Sequence, residues 1–218
     1  MKGLVLKNSK WSKTTAPSQL RAKGFTLIEL LVTIAMSSIV LAAIGSVYMG
    51  LTRSYTQQNV AADVQQTMRA GIDFMVEDIM MAGMDPTENA DASFEDASPG
   101  SMRFTSDRNM NGSIQDTEDY ERITYQYDDG QGILFYQKRL ADGLEPMIEN
   151  VTNLSFVYLD EDGNSLADPN PPFSVLAADR DDIRTVVISM TVEEDAGRAE
   201  PVTRTYTTRV SCRNLGLD

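Results

Sequence analysis

The feature that most constrains this chain is an apolar run from Phe25 to Thr52, in which Glu29 is the only charged residue. The run contains no proline, and as an α-helix it would be roughly 40 Å long, at about 1.5 Å per residue. The hydrocarbon core of a bilayer is about 30 Å thick. A signal peptide would have a shorter apolar core, and a buried soluble helix is rarely apolar all round for this length. The sequence therefore predicts a transmembrane helix over residues 25–52.

The charges that flank this run predict its orientation. The chain of 218 residues has a formal net charge of −13, but its first 24 residues contain no acid. Their basic residues are Lys2, Lys7, Lys10, Lys13, Arg21 and Lys23. Basic segments stay on the cytoplasmic side, so we expect a cytoplasmic N-terminus and a periplasmic remainder. The acidic balance of that remainder argues against nucleic acid as a partner.

Glu29 is an unusual residue for such a segment. A carboxylate within a span costs about 2.5–3.5 kcal/mol on insertion scales, so it is a functional candidate. If the chain were cut before Phe25, the new α-amino group would lie one helical turn from Glu29, which could neutralise it on the same or a neighbouring chain. The alternative is an acid near the membrane interface that simply reaches water. The residues alone leave both interpretations open.

The string from Lys23 to Leu31, KGFTLIELL, resembles the cleavage site of type IV pilins and type II secretion pseudopilins. The resemblance implies that prepilin peptidase cuts between Gly24 and Phe25 and methylates Phe25. It also implies that Glu29 registers each subunit against the neighbouring N-terminus. One departure from many major pilins is Ser46, which stands where they carry a proline.

The rest of the chain divides into a helix and a head. We expect a leader over 1–24, the transmembrane helix over 25–52, a periplasmic amphipathic helix over 53–84 and a globular β-rich head over 85–218. The amphipathic helix is predicted from apolar residues spaced three and four apart. They are Ala61, Val64, Met68, Ile72, Met75 and Ile79.

The head is predicted to be an antiparallel sheet. Residues 85–100 are acidic and turn-rich and indicate a loop. Six strand-like runs follow: Ser101–Ser106, Glu121–Tyr127, Gly132–Lys138, Thr152–Leu159, Ile183–Glu193 and Val202–Ser211. With the helix they give an α+β fold, as in pilins. The strings at 150–158, 183–188 and 212–215 resemble PilW-type minor pilins, which are related to the J pseudopilin.

The segment Asp107–Glu118 fits the twelve-residue pattern of EF-hand calcium loops. Its ligands would be side-chain oxygens and one backbone carbonyl, from Asp107, Asn109, Asn111, Ser113 and Glu118. Two charged ligands predict weak binding, with a Kd of roughly 10⁻⁴–10⁻³ M. The alternative is an Asn/Asp/Gly-rich turn that needs no ion.

Nothing in the sequence suggests catalysis. The chain has no histidine and one cysteine, Cys212, which excludes Ser-His-Asp triads and Cys-His pairs. Adjacent acids such as Glu77 and Asp78 diverge on a helix and are interpreted as solvated charge. We therefore expect a protein that is not an enzyme.

The sequence favours a minor pilin, a structural subunit of a type IV pilus or of its initiating or tip complex. Two alternatives remain: a J-type pseudopilin of type II secretion, and a calcium-binding membrane-anchored adhesin or sensor that does not polymerise. The resemblance implies as partners prepilin peptidase, other pilins or minor pilins and the inner-membrane assembly platform. The bilayer holds the chain before assembly, so we expect it first in the inner membrane and then in the pilus or on the cell surface.

Overall fold

The computed structural model describes residues 24–215, so the predicted leader lies outside it except for Gly24. The chain divides into two compact units, with the boundary after Tyr48. Helix α1 is Leu27–Met80. The strands are β1 Phe94–Ala97, β2 Ser101–Thr105, β3 Arg122–Asp128, β4 Ile133–Gln137, β5 Glu145–Ile148, β6 Val151–Leu159, β7 Thr185–Glu194 and β8 Val202–Ser211. A 3₁₀ helix covers Ala177–Asp182. The α+β class predicted from the sequence is confirmed.

The first unit is the apolar start of α1. Its large apolar side chains are all solvent-exposed, from 46% for Val32 to 80% for Phe25. By length and composition α1 could cross a membrane. The helix continues through Ser46, whose hydroxyl donates a 2.8 Å hydrogen bond to the carbonyl of Ala43. Without a proline at this position, the intrahelical bonds need not be interrupted.

The second unit begins with the remainder of α1, which buries one face. The buried residues are Val64, Met68, Gly71, Ile72, Met75, Asp78 and Ile79. Their spacing of three and four places them on one side of the helix, as the sequence predicted. Two details differ from the prediction: Ala61 is only half-buried, and Asp78 lies among the apolar residues.

The helix ends at Met80, four residues before the predicted boundary at residue 84. A turn follows Met80, and Gly83 has φ +75°. A Cβ at Gly83 would collide with the side chain of Leu215, so both the backbone and the packing require glycine there. The Gly83 N–H donates to the carbonyl of Thr105 at 2.9 Å, which joins the end of the helix to β2.

The described part of the head is antiparallel, as predicted, but its strands form two sheets where the sequence analysis expected one. The first sheet has the order β1-β2-β3-β4-β5 and the second the order β6-β7-β8. The sheets separate between β5 and β6, where Asn150 has φ +58°. An asparagine tolerates this left-handed conformation, which redirects the chain.

Two strands, β1 and β5, were not predicted from the sequence, and both are edge strands. β1 reads FEDA and lies in the segment interpreted as a loop, and β5 reads EPMI. Acids and proline weaken strand propensity but are tolerated at an edge, where one side of the strand is unpaired. A hairpin at Asp128–Gly130 joins β3 to β4, and Oδ1 of Asp128 accepts the N–H of Gln131 at 3.1 Å.

One hydrophobic core lies between the two sheets and the second half of α1. The sheets are also joined by hydrogen bonds at the β1–β2 turn. Tyr158 of β6 donates its hydroxyl to the carbonyls of Ser98 and Ser101, at 3.1 and 3.2 Å. The Phe156 N–H donates to the carbonyl of Pro99 at 2.9 Å. These bonds fix the second sheet against the end of the first.

Candidate functional site

The predicted cleavage point lies immediately before the first helical turn. Gly24 is exposed, and a Cβ added to it would meet no atom within 4 Å. Phe25 is 80% exposed, and α1 begins two residues later at Leu27. The peptide bond between Gly24 and Phe25 is therefore outside the helix and uncovered by the described chain.

Glu29 is hydrogen-bonded to the residue that caps the helix. The Glu29 N–H donates to the hydroxyl oxygen of Thr26 at 3.3 Å, and the same hydroxyl donates to Oε2 of Glu29 at 3.5 Å. The Thr26 hydroxyl thus satisfies one amide of the first turn, as in a Thr-x-x-Glu capping box, while the Glu29 carboxylate is hydrogen-bonded to the Thr26 hydroxyl. Glu29 thus has a structural role at the helix start, besides any role towards a free amine.

A buried polar cluster joins α1 to the first sheet. Asp78 is 3% exposed, and its two carboxylate oxygens have different partners. Oδ2 accepts the hydroxyl of Tyr125 at 2.8 Å, and Oδ1 accepts the Arg108 guanidinium at 2.8 Å. Burial raises the pKa of Asp78, although both partners act to lower it. Burial and the nearby Asp78 raise the pKa of Tyr125, so its hydroxyl remains a donor.

The interpretation of Asp78 as a solvated charge was therefore wrong. Its neighbour Glu77 is exposed, as predicted, but Asp78 is on the face that packs against the sheet. A carboxylate can be buried there because Tyr125 and Arg108 supply hydrogen bonds and a positive charge. The signal in the sequence was the position of Asp78, three residues after Met75 on the apolar stripe.

The predicted calcium loop connects β2 to β3 and begins at a buried carboxylate. Asp107 is 0% exposed, and its backbone N–H donates to the carbonyl of Met84 at 2.7 Å. Its Oδ1 accepts the N–H of Asn111 at 3.1 Å, and its Oδ2 accepts the N–H of Gly112 at 2.9 Å. The Asp107 side chain therefore organises the first half of the loop.

The other predicted ligands lie at the surface of this loop. Oδ1 of Asn109 accepts the N–H of Asn111, and Oδ1 of Asn111 accepts the N–H of Ser113, both at 2.9 Å. The structure thus brings Asp107, Asn109, Asn111 and Ser113 into one turn. Glu118 is exposed, and none of the described side-chain hydrogen bonds or ion pairs joins it to this turn.

A second carboxylate inside the loop was missed by the sequence analysis. Glu121 is 1% exposed, and its Oε2 accepts the N–H of Gln115 at 2.8 Å. Its Oε1 is buried and has no hydrogen-bond partner within residues 24–215. Burial raises the pKa of Glu121, and the negative charges of Asp107 and Glu118 raise it further. The hydrogen bond from the Gln115 N–H acts in the opposite direction. The calcium pattern ends at Glu118, so it gave no reason to consider a residue three positions further on.

Cys212 has none of the features of a reactive thiol. It is 5% exposed at the end of β8, and burial raises its pKa to about 12. The thiolate is the nucleophilic form of cysteine, so this residue is a small core side chain.

A comparison with known protein families finds a match at the N-terminal segment of the chain. Residues 20–45 match the family model of the prokaryotic N-terminal methylation motif, a segment that contains Gly24, Phe25 and Glu29. The N-terminal segment thus carries this methylation motif, and the match covers 26 of the 218 residues. The family match does not extend to the head, so the resemblance to PilW-type proteins stays a prediction.

Two further comparisons concern the whole chain. No curated protein matches it. Among solved structures, a type IV-like pilin from Thermus thermophilus matches with 10% sequence identity and a TM-score of 0.45. The alignment covers 70% of this chain and 98% of the other.

Proposed function

We propose that this chain is a minor pilin, a structural subunit of a type IV pilus or of its initiating or tip complex. The observation that carries the proposal is the N-terminal methylation motif at residues 20–45, which includes the first turns of α1 with their exposed apolar side chains. Such a surface requires lipid or other helices around it. A role in assembly, and not catalysis, accounts for both features.

The proposed processing step is cleavage between Gly24 and Phe25 by prepilin peptidase, followed by methylation of Phe25. Cleavage would place a positively charged amine close to the start of α1, where the helix dipole is also positive. Glu29 would offset both charges in the same chain or in a neighbouring subunit. The cost of placing this carboxylate in the bilayer, about 2.5–3.5 kcal/mol, would then favour its pairing with an amine.

The exposed part of α1 would have two successive environments. Before assembly, it would cross the inner membrane, with the basic leader in the cytoplasm and the acidic head in the periplasm. After assembly, the helices of other pilins would cover the same side chains. Prepilin peptidase, other pilins or minor pilins and the inner-membrane assembly platform are therefore the partners of this proposal.

The proposal is tested by mass spectrometry of filaments sheared from the cell surface. We expect the chain among minor components of the wild-type filaments, and its absence when Gly24→Ala blocks processing. A Gly143→Ala variant is a matched control, because it makes the same change at a glycine that lies outside α1 and has open space around it. A chain that is processed but never found in filaments, and whose deletion stops secretion of a hydrolase, would instead be a J-type pseudopilin. A leader retained by the functional protein contradicts both assignments.

A further inference from the structure

The loop between β2 and β3 begins and ends with a buried carboxylate. Asp107 is 0% exposed and Glu121 is 1% exposed. The two ends of the loop are held together, because the Ser106 N–H donates to the backbone carbonyl of Glu121 at 3.0 Å. Both carboxylates also accept hydrogen bonds from inside the loop. Asp107 accepts the N–H of Asn111, and Glu121 accepts the N–H of Gln115.

These two carboxylates have no cationic partner among the ion pairs of residues 24–215. Arg108, the neighbour of Asp107, pairs with Asp78. Arg122, the neighbour of Glu121, pairs with Glu95 and with Asp116. A buried charge is costly unless it is paired or coordinates a metal ion. The arrangement therefore leaves a concentration of negative charge that the described side chains do not neutralise.

One oxygen of the Glu121 carboxylate is left without a partner among the described residues. Its Oε1 is buried and accepts no hydrogen bond from the described residues. The Oε2 of the same carboxylate is bonded to the Gln115 N–H, so the group lies against the inner side of the loop. An ionised carboxylate can only accept. A buried acceptor without a donor requires a partner, and a cation provides one.

We propose that the loop Asp107–Glu121 binds a divalent cation of the calcium type, with Asp107 and Glu121 as its charged ligands. Glu121 replaces Glu118 of the sequence pattern as the carboxylate that closes the site. The amide oxygens of Asn109 and Asn111 and a backbone carbonyl complete an all-oxygen set.

The donor set also predicts the kind of ion and the strength of binding. Calcium takes six to eight oxygen ligands in flexible geometry, whereas softer metals prefer nitrogen or sulfur. Within residues 24–215, no three side chains of Asp, Glu, His or Cys are grouped as metal ligands. The site therefore depends on two charges and on neutral oxygens, which predicts a Kd of roughly 10⁻⁴–10⁻³ M.

The inference is tested by calorimetric titration of calcium into the full-length protein in detergent, after chelator treatment. Glu121→Gln and Glu118→Gln form a matched pair, because each removes one negative charge from the same loop without a change in shape. We expect the wild-type protein and Glu118→Gln to bind one ion with similar affinity. We expect Glu121→Gln to bind at least about tenfold more weakly.

Two results would overturn the inference. One is a wild-type protein that binds no calcium at millimolar concentration. The other is a Glu118→Gln variant that loses as much affinity as Glu121→Gln, or more. Thermal unfolding of each variant in chelator shows whether it is folded. In the wild-type protein, calcium should displace bound terbium and lower its luminescence, which tests the site without any substitution. The outcome is independent of pilus assembly, because none of the proposed ligands lies in the N-terminal motif.

Discussion

Asp78 of α1 and Tyr125 of β3 are joined by a 2.8 Å hydrogen bond inside the core of the head. The other oxygen of Asp78 binds Arg108, which follows Asp107 in the β2–β3 loop. The guanidinium of Arg108 also lies 4.9 Å from the centre of the Tyr120 ring. A single carboxylate therefore connects the helix, the sheet and the loop with the proposed cation site.

Replacement of Asp78 by alanine is expected to destabilise the head by about 3 kcal/mol, because it leaves a partly buried guanidinium and a buried hydroxyl without their acceptor. Glu77→Ala is the control, since Glu77 is the exposed neighbour and should change stability by no more than about 0.5 kcal/mol. Denaturant unfolding followed by circular dichroism measures both. Equal effects would show that the Asp78 cluster contributes little to stability.

Gly71 is expected to be required for the approach of β5 to the helix. A Cβ at this position would collide with Cδ1 of Ile148, so Gly71→Ala should destabilise the head by about 1–3 kcal/mol despite the better helix propensity of alanine. In a double-mutant cycle, Ile148→Ala should remove most of this additional penalty. Strictly additive effects would mean that the two residues do not constrain each other.

The boundary between the two units predicts the behaviour of truncated chains. A chain that starts at Arg53 lacks the exposed apolar side chains of residues 25–51 but keeps the buried stripe from Val64 to Ile79. It should be folded and monomeric in detergent-free buffer. A chain that starts at Asp85 lacks the stripe and should aggregate, because its sheets would expose their core faces. Size-exclusion chromatography distinguishes the two, and equal solubility would contradict the role of the stripe.

Patterns of local spacing predicted much of this fold. The stripe on α1 was visible because its residues repeat at the helical period. β7 was visible because its buried residues Val186, Ile188, Met190 and Val192 alternate with half-buried ones. The edge strands β1 and β5 were not visible, since an acidic segment and a proline-containing segment form strands here only through the neighbour that they pair with.

The candidate sites also differ in whether local sequence or distant partners determine the role of each residue. The N-terminal motif was predictable because its residues are consecutive. Asp78 was misinterpreted because its partners lie 30 and 47 residues away, at Arg108 and Tyr125. Glu121 was missed because its burial depends on how the loop closes, which a twelve-residue pattern does not contain.

Glu29→Gln separates the two roles of Glu29. Glutamine can replace glutamate in a capping box but carries no charge. If Glu29 pairs with the amine of Phe25, the variant should still be inserted and processed. Its amount in filaments should fall about tenfold, which corresponds to a loss of about 1.4 kcal/mol of attraction. Thr26→Ala tests the cap and should assemble nearly normally. If Thr26→Ala fails to assemble while Glu29→Gln assembles as the wild type does, Glu29 acts through the helix cap.

The most direct test of the proposed function is the intact mass of the chain purified from its natural membrane or filament, with sequencing of its first residues. The account predicts a chain that begins at N-methylated Phe25 and has lost all of residues 1–24. A functional chain that still carries the basic segment before Phe25 would contradict it.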